Sequence, residues 1–511
     1  MSLPIAWSSD LIGTATRHGP RLAVHDGADA QLTFEQLCQR AHDLAAYLIH
    51  RGVKPGDRVA SCLPNGIDAV WVAYGIKICG AAETTLNWKY TLEELAWCHQ
   101  LSQFKDVVTQ PGRENDWEEL GINALLCEKI PLSTTHILPS VEQDTWGRLL
   151  FTSGTTGKPK AVVYTHGQRW QGEQQQKAHL PWIPSVNDKI LLMTPYIHGA
   201  SLIAFAWLDH GAPLILLDGV ELEKVKKHIH DPALKAIFAP PTVLAKLCAE
   251  FVGQTFAHIQ CIFTGTQPLP PALYQKALAI FGPVVRITYG KSECVNPITI
   301  LRPEQTHAFY TQDVVPAGAC VGWPPSGVEI KIDAQTQDNK DETIDFKQGE
   351  IWLRAQQMSL GLIDANGLRL HEPDGWHSTG DLGYIDAIGR VMLTGRIADV
   401  IKTGGYRVNP DEIESVLTGL SNTSGMCVTS LPSEYWGEVI VAVAESEDLS
   451  WVDAAKEKLK TMSRHKQPRI FFHFKTLPRN PQGKVSRKQV SAHILKTHSV
   501  SDGAYPVLQA L

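Results

Sequence analysis

The chain has 511 residues, of which 43% are hydrophobic and 20% are charged, and its formal net charge is −6 at pH 7. One hydrophobic core rarely supports a chain of this length, so we expect two or more domains. The composition is that of an ordinary globular protein, and an acidic chain without a stripe of Lys and Arg argues against nucleic-acid binding.

Cysteine usage and the amino terminus bear on location. The ten cysteines occur singly, with no CxxC pair. This pattern favours reduced thiols over disulfides or a zinc site. The first residues lack a basic stretch followed by a long apolar run, which is the pattern of a signal peptide. No apolar run approaches the roughly 18 residues of a membrane span. We therefore expect a cytoplasmic protein without a membrane span.

Helix and strand patterns alternate from the amino terminus to about residue 300. Thr33 and Gln36 form a capping-box pattern at the start of a helix. Five apolar residues then fall on one helical face: Leu37, Ala41, Leu44, Ala45 and Leu48. Apolar strands are predicted at 58–63 and 81–86. This β–α–β rhythm predicts a parallel or mixed sheet with helices on its faces.

Two further patterns complete the chain. Short strands between residues 320 and 395 predict a β subdomain. From about residue 398 a compact α+β pattern begins, with Asn409 as the N-cap and Pro410 at the first position of a helix. Its other predicted elements are strands near 425–431, 438–444 and 469–476 and helices at about 451–462 and from 487. The tail 499–511 is expected to be poorly ordered.

The predicted fold class is therefore α/β. Residues 1–396 should form a large N-terminal domain of αβα layers plus the β subdomain. Residues 397–511 should form a small, mobile α+β C-terminal domain.

A loop of glycine and hydroxyl residues follows an apolar strand in the segment LLFTSGTTGKPK at 149–160. Gly154 and Gly157 let backbone amides approach an anion, and Lys158 adds positive charge. The hydroxyl donors are Thr152, Ser153, Thr155 and Thr156. The loop is not a Walker A motif, because its spacing is GxxGK and a strand follows instead of a helix. A hairpin without a ligand is the alternative interpretation of the loop by itself.

Six more segments accompany this loop, and each could be an ordinary turn if it stood alone. They are PYIHG at 195–199, FTGTQPL at 263–269, TYGKSE at 288–293, GWHSTGD at 375–381, GRIADVIKTGG at 395–405 and LPRNPQGK at 477–484. In type and order they resemble the signature motifs of the adenylate-forming superfamily. That superfamily includes acyl-CoA synthetases, aryl-CoA ligases, stand-alone adenylation domains and beetle luciferases. The resemblance extends from about residue 10 to about residue 490.

The resemblance implies an ATP site. Tyr289 would stack on adenine, Ser292 (where the family usually has Thr) would approach the α-phosphate, and Glu293 would hold Mg²⁺, a hard cation that prefers oxygen ligands. Asp381 would accept hydrogen bonds from both ribose hydroxyls, and Arg396 would add a second ribose contact. The remaining nucleotide-binding residues implied are the loop 152–158 together with Gly265, Thr266, Gln267, Thr288 and Gly290.

The resemblance also implies two half-reactions. Lys484 would be a catalytic residue that bridges the carboxylate of the acid and the α-phosphate. The C-terminal domain would then turn, and Lys402, Gly404 and Gly405 would meet the pantetheine arm of coenzyme A. Ala398 stands at the hinge position, where the family usually has a polar residue such as Asp or Lys.

An acid-binding pocket follows from family position. Its residues would be Tyr196, His198, Phe205, Thr264, Gly265, Gly290, Cys294 and Asn296. His198 would line the boundary with the thiol tunnel and act in catalysis, and a purely structural role is the equal alternative. These aromatic, small and amide groups favour a medium-sized aryl or acyl acid. An ordinary amino acid is less expected, because no Asp is placed for an α-ammonium group.

We therefore expect an ATP-, Mg²⁺- and CoA-dependent acid–thiol ligase acting on a small-molecule carboxylic acid. A stand-alone adenylation enzyme that loads the phosphopantetheine of a carrier protein is the first alternative. A luciferase-like oxygenase has no residue in its favour. A non-catalytic nucleotide-binding relative is the third alternative, and the intact Lys158, Glu293 and Lys484 speak against it. Homodimers are common among soluble enzymes, so a homodimer is the assembly to test.

Overall fold

The computed structural model describes residues 3–133, 138–152, 159–313, 316, 318–334, 348–372, 374–479, 484–501 and 503–511, apart from the side chain of His198. Its α-helices are α1 (Trp7–His18), α2 (Phe34–His50), α3 (Ile67–Ile78), α4 (Leu92–Ser102), α5 (Glu114–Glu119), α6 (His166–Ala178), α7 (Ser201–Asp209), α8 (Leu222–Ile229), α9 (Pro241–Glu250), α10 (Pro271–Phe281), α11 (Pro303–Tyr310), α12 (Pro410–Leu417), α13 (Val452–Leu459) and α14 (Arg487–Thr497).

Side-chain caps explain where several helices begin. Thr33, Thr91 and Thr165 each accept a hydrogen bond from the backbone N–H three residues on, and the side chain at that position returns one. This arrangement satisfies two amides that the first helical turn leaves without partners. The capping box predicted at Thr33 is confirmed, as is the N-cap role of Asn409. The predicted apolar face of α2 is completely buried.

The strands are β1 (Leu22–His25), β2 (Gln31–Thr33), β3 (Arg58–Leu63), β4 (Ala82–Asn87), β5 (Asp106–Thr109), β6 (Asn123–Leu126), β7 (Trp146–Thr152), β8 (Lys160–Thr165), β9 (Lys189–Leu192), β10 (Leu214–Leu216), β11 (Leu234–Phe238), β12 (Cys261–Gly265), β13 (Val285–Thr288), β14 (Ala319–Gly322), β15 (Val328–Asp333), β16 (Gly349–Ala355), β17 (Gly361–Asp364), β18 (Gly367–Leu370), β19 (His377–Ile385), β20 (Val391–Arg396), β21 (Ile401–Thr403), β22 (Tyr406–Val408), β23 (Gly425–Ser433), β24 (Gly437–Glu445), β25 (Ile470–Phe474), β26 (His498–Val500) and β27 (Leu508–Ala510).

Two large sheets form the first part of the chain. The first has the order β13-β12-β11-β9-β10-β1-β2, and every pair except β1–β2 is parallel. The second has the order β18-β17-β8-β7-β4-β3-β5-β6, parallel from β7 through β6 and antiparallel from β7 through β18. The prediction of a parallel or mixed α/β architecture is thereby confirmed.

The β subdomain is an antiparallel sheet with the order β14-β20-β19-β16-β15. In the C-terminal part, β22-β21-β24-β23 form an antiparallel sheet, and β25 adds in parallel to β24. Helices α12 and α14 both contact β23, so this part has the predicted α+β character.

The N-terminal and C-terminal parts have separate hydrophobic cores. Among the described residues, the cores of the N-terminal part include buried residues up to Met392, whereas the two C-terminal cores draw only on residues from Ile401 onward. Between them lie Arg396, which ends β20, and the short 3₁₀ turn Ile397–Asp399. We therefore propose Arg396/Ile397 as the domain boundary.

The tail differs from its prediction. Strands β26 and β27 pair as an antiparallel hairpin, with His498 opposite Ala510, so the expectation of poor order at 499–511 is wrong. Val500 and Leu508 pack against the second C-terminal core, and this apolar contact fixes the hairpin.

All ten cysteines are free thiols, and nine of them are buried. Within the described parts of the chain, no helix is long and apolar enough to cross a membrane.

Candidate active site

Several predicted site residues follow the carboxyl ends of parallel strands. Strands β12 and β13 are neighbours, and their last residues, Gly265 and Thr288, lie opposite each other. Tyr196 follows β9 in the same sheet. Open α/β sheets bind their ligands in the crevice beyond this edge. A Cβ atom at Gly265 would lie 2.5 Å from the carbonyl oxygen of Thr288, which accounts for the glycine at this crossing.

A cluster of charged and hydroxyl groups surrounds the buried carboxylate of Asp381; we call it the Asp381 cluster. Asp381 Oδ1 lies 3.0 Å from Nε of Arg396, which stands opposite it in the β19–β20 register. Asp381 Oδ2 accepts a hydrogen bond from the hydroxyl of Tyr289 and lies 3.3 Å from Nζ of Lys291. Lys291 also donates to the carbonyl of Thr379 at 2.6 Å. A carboxylate has about four acceptor positions, so these contacts leave room for a ribose hydroxyl.

Lys484 lies beside this cluster although it is far away in the chain. Its Nζ donates to the carbonyl oxygen of Thr266 at 3.0 Å. The pKa of Lys484 is lowered to about 8, first by burial and then by the charge of Arg396, with a smaller contribution from Lys291, while Asp381 opposes the shift. An amine held among cations in this way gains strongly from an approaching anion, because an opposite charge favours its protonated form.

Thr266 holds an unusual backbone conformation. Its φ of +70° lies in the left-handed region, which a β-branched residue rarely adopts. Its carbonyl is the one that accepts from Lys484. Strained backbone persists where surrounding structure enforces it, and such positions cluster at ligand sites.

The predicted magnesium ligand and its neighbour come next in the TYGKSE segment. Glu293 is half-buried, and Ser292 is exposed with its carbonyl accepting a 2.5 Å hydrogen bond from the hydroxyl of Tyr164. Glu293 forms no ion pair with a described Lys or Arg, and no group of three or more potential metal ligands occurs among the described residues. Mg²⁺ bound to a nucleotide typically needs one or two protein carboxylates, so Glu293 fits that role. Burial lowers the pKa of nearby His377 to about 4, and Glu293 opposes this shift.

The phosphate loop is only partly described. Thr152 ends β7 opposite Lys160, the first residue of β8, in an antiparallel pair. The predicted residues Ser153, Gly154, Thr155, Thr156, Gly157 and Lys158 lie outside the described residues.

The residues predicted for the thiol step lie on a different element, the β21–β22 hairpin. Lys402 is exposed, and its backbone N–H donates to Glu438 Oε2 at 2.7 Å. Gly404 and Gly405 both have positive φ, and a Cβ at Gly404 would lie 2.8 Å from the Trp436 ring. Ala398 lies within the 3₁₀ turn that joins β20 to this hairpin.

The predicted acid-pocket residues are mostly buried. Tyr196 and Phe205 meet edge to face with ring centroids 6.2 Å apart, and His198 belongs to the π-helical turn Tyr196–Ala200 between them. Burial raises the pKa of the Cys294 thiol strongly, which makes it a poor nucleophile. A Cβ at Gly290 would lie 2.5 Å from the amide oxygen of Asn296.

Three polar atoms in this pocket have no hydrogen-bond partner among the described residues. They are the hydroxyls of Tyr196 and Thr264 and the amide oxygen of Asn296. Buried polar groups normally have partners, so atoms of this kind are candidates for substrate contacts. The neighbouring Gln357 amide is likewise buried without a described side-chain partner.

Sequence reasoning missed two features. Lys291 occupies the variable position of its motif, and only the fold places it on Asp381. Glu83 and Arg148 are charged residues inside apolar strands, and their buried contacts join β4 to β7. A charge within a buried strand pattern was the available signal, because such charges are almost never buried unpaired.

Comparison with known proteins agrees with this geometry. Residues 13–363 match the family model described as AMP-binding enzyme. The chain is 28% identical to the 3-[(3aS,4S,7aS)-7a-methyl-1,5-dioxo-octahydro-1H-inden-4-yl]propanoyl:CoA ligase of Rhodococcus jostii, over 95% of this chain and 98% of that protein. It is 27% identical to the 2-succinylbenzoate–CoA ligase of Bacillus licheniformis, over 92% of this chain and 96% of that protein.

Solved structures resemble the fold. The o-succinylbenzoate CoA synthetase of Bacillus subtilis in complex with its acyl-adenylate intermediate has a TM-score of 0.80, with 24% identity over 94% of this chain and 97% of that one. The same synthetase in complex with ATP and magnesium ion has a TM-score of 0.79, also with 24% identity, over 94% of this chain and 98% of that one. At this identity the likeness shows a shared fold.

Proposed function

Because this chain belongs to the AMP-binding enzyme family, we propose that the Asp381 cluster, Glu293 and Lys484 form the catalytic centre of an AMP-forming acid–CoA ligase. The enzyme activates a carboxylic acid with ATP as an acyl-adenylate and then transfers the acyl group to coenzyme A. The observation that carries the site assignment is the position of Lys484 Nζ, 3.0 Å from the carbonyl of Thr266 and within electrostatic reach of Asp381.

The first step is the attack of the acid's carboxylate oxygen on the α-phosphorus of ATP, from which pyrophosphate departs. Negative charge accumulates among the carboxylate, the α-phosphate and the leaving group. Fixed positive charge at this point therefore stabilises the transition state more than the separated reactants. Lys484 supplies a point charge on a flexible stem, and its lowered pKa reflects burial first and then the charge of Arg396.

The Asp381 cluster positions the nucleotide. Arg396, Lys291 and Tyr289 orient both carboxylate oxygens of Asp381 before a ligand arrives. A preorganised acceptor loses little entropy when it binds the ribose hydroxyls. Tyr289 is then placed to contact adenine with its ring while its hydroxyl holds Asp381.

Glu293 is the residue that would hold Mg²⁺. The ion, when bound, neutralises phosphate charge and favours departure of pyrophosphate. Ser292 and the loop residues 152–158 complete the proposed set of phosphate contacts.

The second step needs the thiol of coenzyme A to attack the adenylate carbonyl, which releases AMP. Lys402, Gly404 and Gly405 follow the Ala398 turn in the chain, whereas Asp381 precedes it. We propose that rotation at this turn removes Lys484 and brings the β21–β22 hairpin to the pantetheine arm. We also propose that the acid is an aryl or medium-sized acyl acid. His198 would lie at the boundary between the acid pocket and the tunnel for the thiol.

The test is a panel of aryl and acyl acids assayed for pyrophosphate release with ATP and Mg²⁺. We expect acid-dependent pyrophosphate release, and thioester formation when CoA is added. A phosphopantetheinylated carrier protein offered in place of CoA should give a much lower rate. ADP formation, or no consumption of ATP with any acid, would contradict the proposal.

Light scattering would check whether the enzyme is a homodimer.

A further inference from the structure

Asn409, the residue that caps helix α12, forms two hydrogen bonds in opposite directions. Its Oδ1 accepts a 3.0 Å hydrogen bond from the backbone N–H of Asp411, which satisfies an amide of the first helical turn. Its Nδ2 donates to the carbonyl oxygen of Thr394 in β20. Thr394 precedes the turn Ile397–Asp399, and Asn409 follows it. One side chain therefore joins the C-terminal part to the end of the N-terminal part.

An irregularity in β20 makes the acceptor available. The register between β19 and β20 shifts at this point, so no residue of β19 lies opposite Thr394. An extra residue of this kind is a β-bulge, which leaves backbone groups without ladder partners and often lies next to an active site. Arg396, the next residue but one, contacts Asp381. The bulge thus places the acceptor beside the proposed ribose contacts in the chain.

The neighbouring residues make room for this bond and support it. A Cβ atom at Gly395 would lie 2.4 Å from Oδ1 and 2.5 Å from Nδ2 of Asn409, which is closer than real Cβ atoms approach. Gln348 Nε2 donates to Thr394 Oγ1 at 2.5 Å, so the acceptor residue is also held from within the N-terminal part. Helix α12 contacts β20 directly. The hydrogen bond therefore belongs to a packed contact.

A second contact joins the same two parts. Lys484 Nζ donates to the carbonyl oxygen of Thr266 at 3.0 Å, and Thr266 follows β12, which belongs to a different sheet from β20. A lysine side chain is long and flexible, so this contact by itself tolerates a range of domain orientations. The Asn409 side chain is short and is fixed by the helix that it caps. Together the two contacts define the orientation in which Lys484 lies beside Asp381.

The proposed rotation at the turn Ile397–Asp399 has to break the Asn409 bond. Thr394 belongs to the part before the turn, and Asn409 belongs to the part that rotates. The bond therefore exists in one orientation and is absent from the other. A contact made in only one of two states shifts their equilibrium by its own net free energy. For one hydrogen bond this shift is about twofold to tenfold.

We propose that Asn409 is a positioning residue that holds the C-terminal part in the orientation for adenylate formation, through its hydrogen bond to Thr394. This inference rests on the proposed function and deepens it by naming a residue that sets the balance between the two half-reactions. Asn409 touches no reacting atom and acts through the position of Lys484. Loss of its donor lowers the population of this orientation and raises that of the orientation for the thiol step.

Asn409→Asp tests this role, because a carboxylate caps a helix as well as an amide does but has no N–H to donate. Two rates are measured: ATP–pyrophosphate exchange in the presence of the acid, and consumption of the purified adenylate by CoA. We expect the ratio of the first rate to the second to fall about twofold to tenfold relative to the native enzyme. A defect in folding alone would lower both rates and leave their ratio unchanged.

Two further variants separate the lost donor from the added charge. Asn409→Ala loses the donor and the cap without adding charge, so the ratio should fall as in Asn409→Asp while the unfolding temperature also falls. Asn422→Asp is the matched control, since its exposed amide donates to Ser450 Oγ at 3.1 Å within the C-terminal part. This control should keep the native ratio. An unchanged ratio in Asn409→Asp, an equal fall in Asn422→Asp, or a fall absent from Asn409→Ala would overturn the inference.

Hydrogen–deuterium exchange without substrates separates this inference from the proposed function. Segments 263–269 and 391–396 contact the C-terminal part through Thr266 and Thr394. Their amides should exchange faster in Asn409→Asp than in the native enzyme or in Asn422→Asp. Faster exchange without pyrophosphate release from any acid would support the Asn409 contact and contradict the ligase. Pyrophosphate release with native exchange and a native ratio of rates would contradict only the role of Asn409.

Discussion

Lys484 and Arg487 are three residues apart, yet their surroundings are opposite. Lys484 lies among cations at the Asp381 cluster, and burial with the charges of Arg396 and Lys291 lowers its pKa. Arg487 lies among three carboxylates, with guanidinium nitrogens 2.6 Å from Asp399, 2.5 Å from Asp411 and 2.8 Å from Glu414. Burial alone would lower the pKa of Arg487, but these carboxylates raise it.

The difference indicates a structural role for Arg487 and a ligand-binding role for Lys484. Arg487 on α14 ties together the turn after β20 and helix α12, and its charge is fully compensated within the C-terminal part. Burial and the charge of Arg396 disfavour the protonated form of Lys484, so an approaching anion would favour it. We propose that the C-terminal part, anchored by Arg487, presents Lys484 to the nucleotide and withdraws it.

Removing the presented charge should have the largest effect on catalysis. We expect Lys484→Ala to slow ATP–pyrophosphate exchange about a hundredfold to a thousandfold, by analogy with the loss of an oxyanion-hole donor. Consumption of the purified adenylate by CoA should persist, because the second step does not use this residue. Lys475→Ala, at an exposed pair with Glu447, is the control and should behave as wild type. Unchanged exchange in Lys484→Ala would remove the residue from its proposed role.

Removing the anchor should affect stability more than chemistry. Arg487→Met leaves three partly buried carboxylates without their common partner, and we expect a loss of about 3 kcal/mol in the free energy of unfolding, the lower end of the range for a buried pair. Urea unfolding followed by circular dichroism measures it. Lys475→Met breaks a pair that is nearly fully exposed and should change stability by less than about 1 kcal/mol. Equal effects of the two substitutions would show that the Arg487 contacts are not an anchor.

The pH dependence of catalysis should sharpen the comparison. The charged form of Lys484 is the one required, and its pKa in the free enzyme is lowered to about 8. Above that pH we expect kcat/KM for ATP to fall about tenfold per pH unit, since this parameter reports ionisation of the free enzyme. Lys484→Arg keeps its charge throughout and should lose this alkaline limb, although its rate will be lower. A limb that persists unchanged in Lys484→Arg would assign the ionisation to another group.

The smallest expected effect concerns the carbonyl that holds Lys484. Thr266→Gly removes a β-branched residue from the left-handed region, and relief of strain should raise stability by about 1 kcal/mol. Greater freedom of its carbonyl should also raise KM for ATP. Gln103→Gly, at another position of positive φ on an exposed helix end, should raise stability without changing KM. Identical KM values in both variants would show that the Thr266 carbonyl does not position the lysine.

Many helices and strands could be predicted from the sequence because they depend on interactions between residues that are close in the chain. The Thr33 capping box, the buried face of α2 and strand β3 follow from side-chain hydrogen bonds and apolar periodicity alone. The motif order also located the segments around Gly265, Tyr289 and Asp381, which the fold brings to one region.

What remained hidden depends on contacts distant in sequence. Lys291 acts through Asp381, 90 residues away, and nothing local distinguishes it from a solvated lysine. The buried contacts of Glu83 with Arg148 and Arg169 form only when β4, β7 and α6 pack together. The tail hairpin was missed because its order comes from Val500 and Leu508 packing on the second C-terminal core, and not from the propensity of the tail itself.

The most direct measurement of the central claim follows oxygen from the acid to the nucleotide. The enzyme is supplied with ATP, Mg²⁺, CoA and an acid whose two carboxylate oxygens are ¹⁸O, and the products are analysed by mass spectrometry. Attack of the carboxylate on the α-phosphorus predicts one ¹⁸O in each AMP and one in each thioester. AMP without the label, or label in inorganic phosphate, would contradict acid activation as an adenylate at this site.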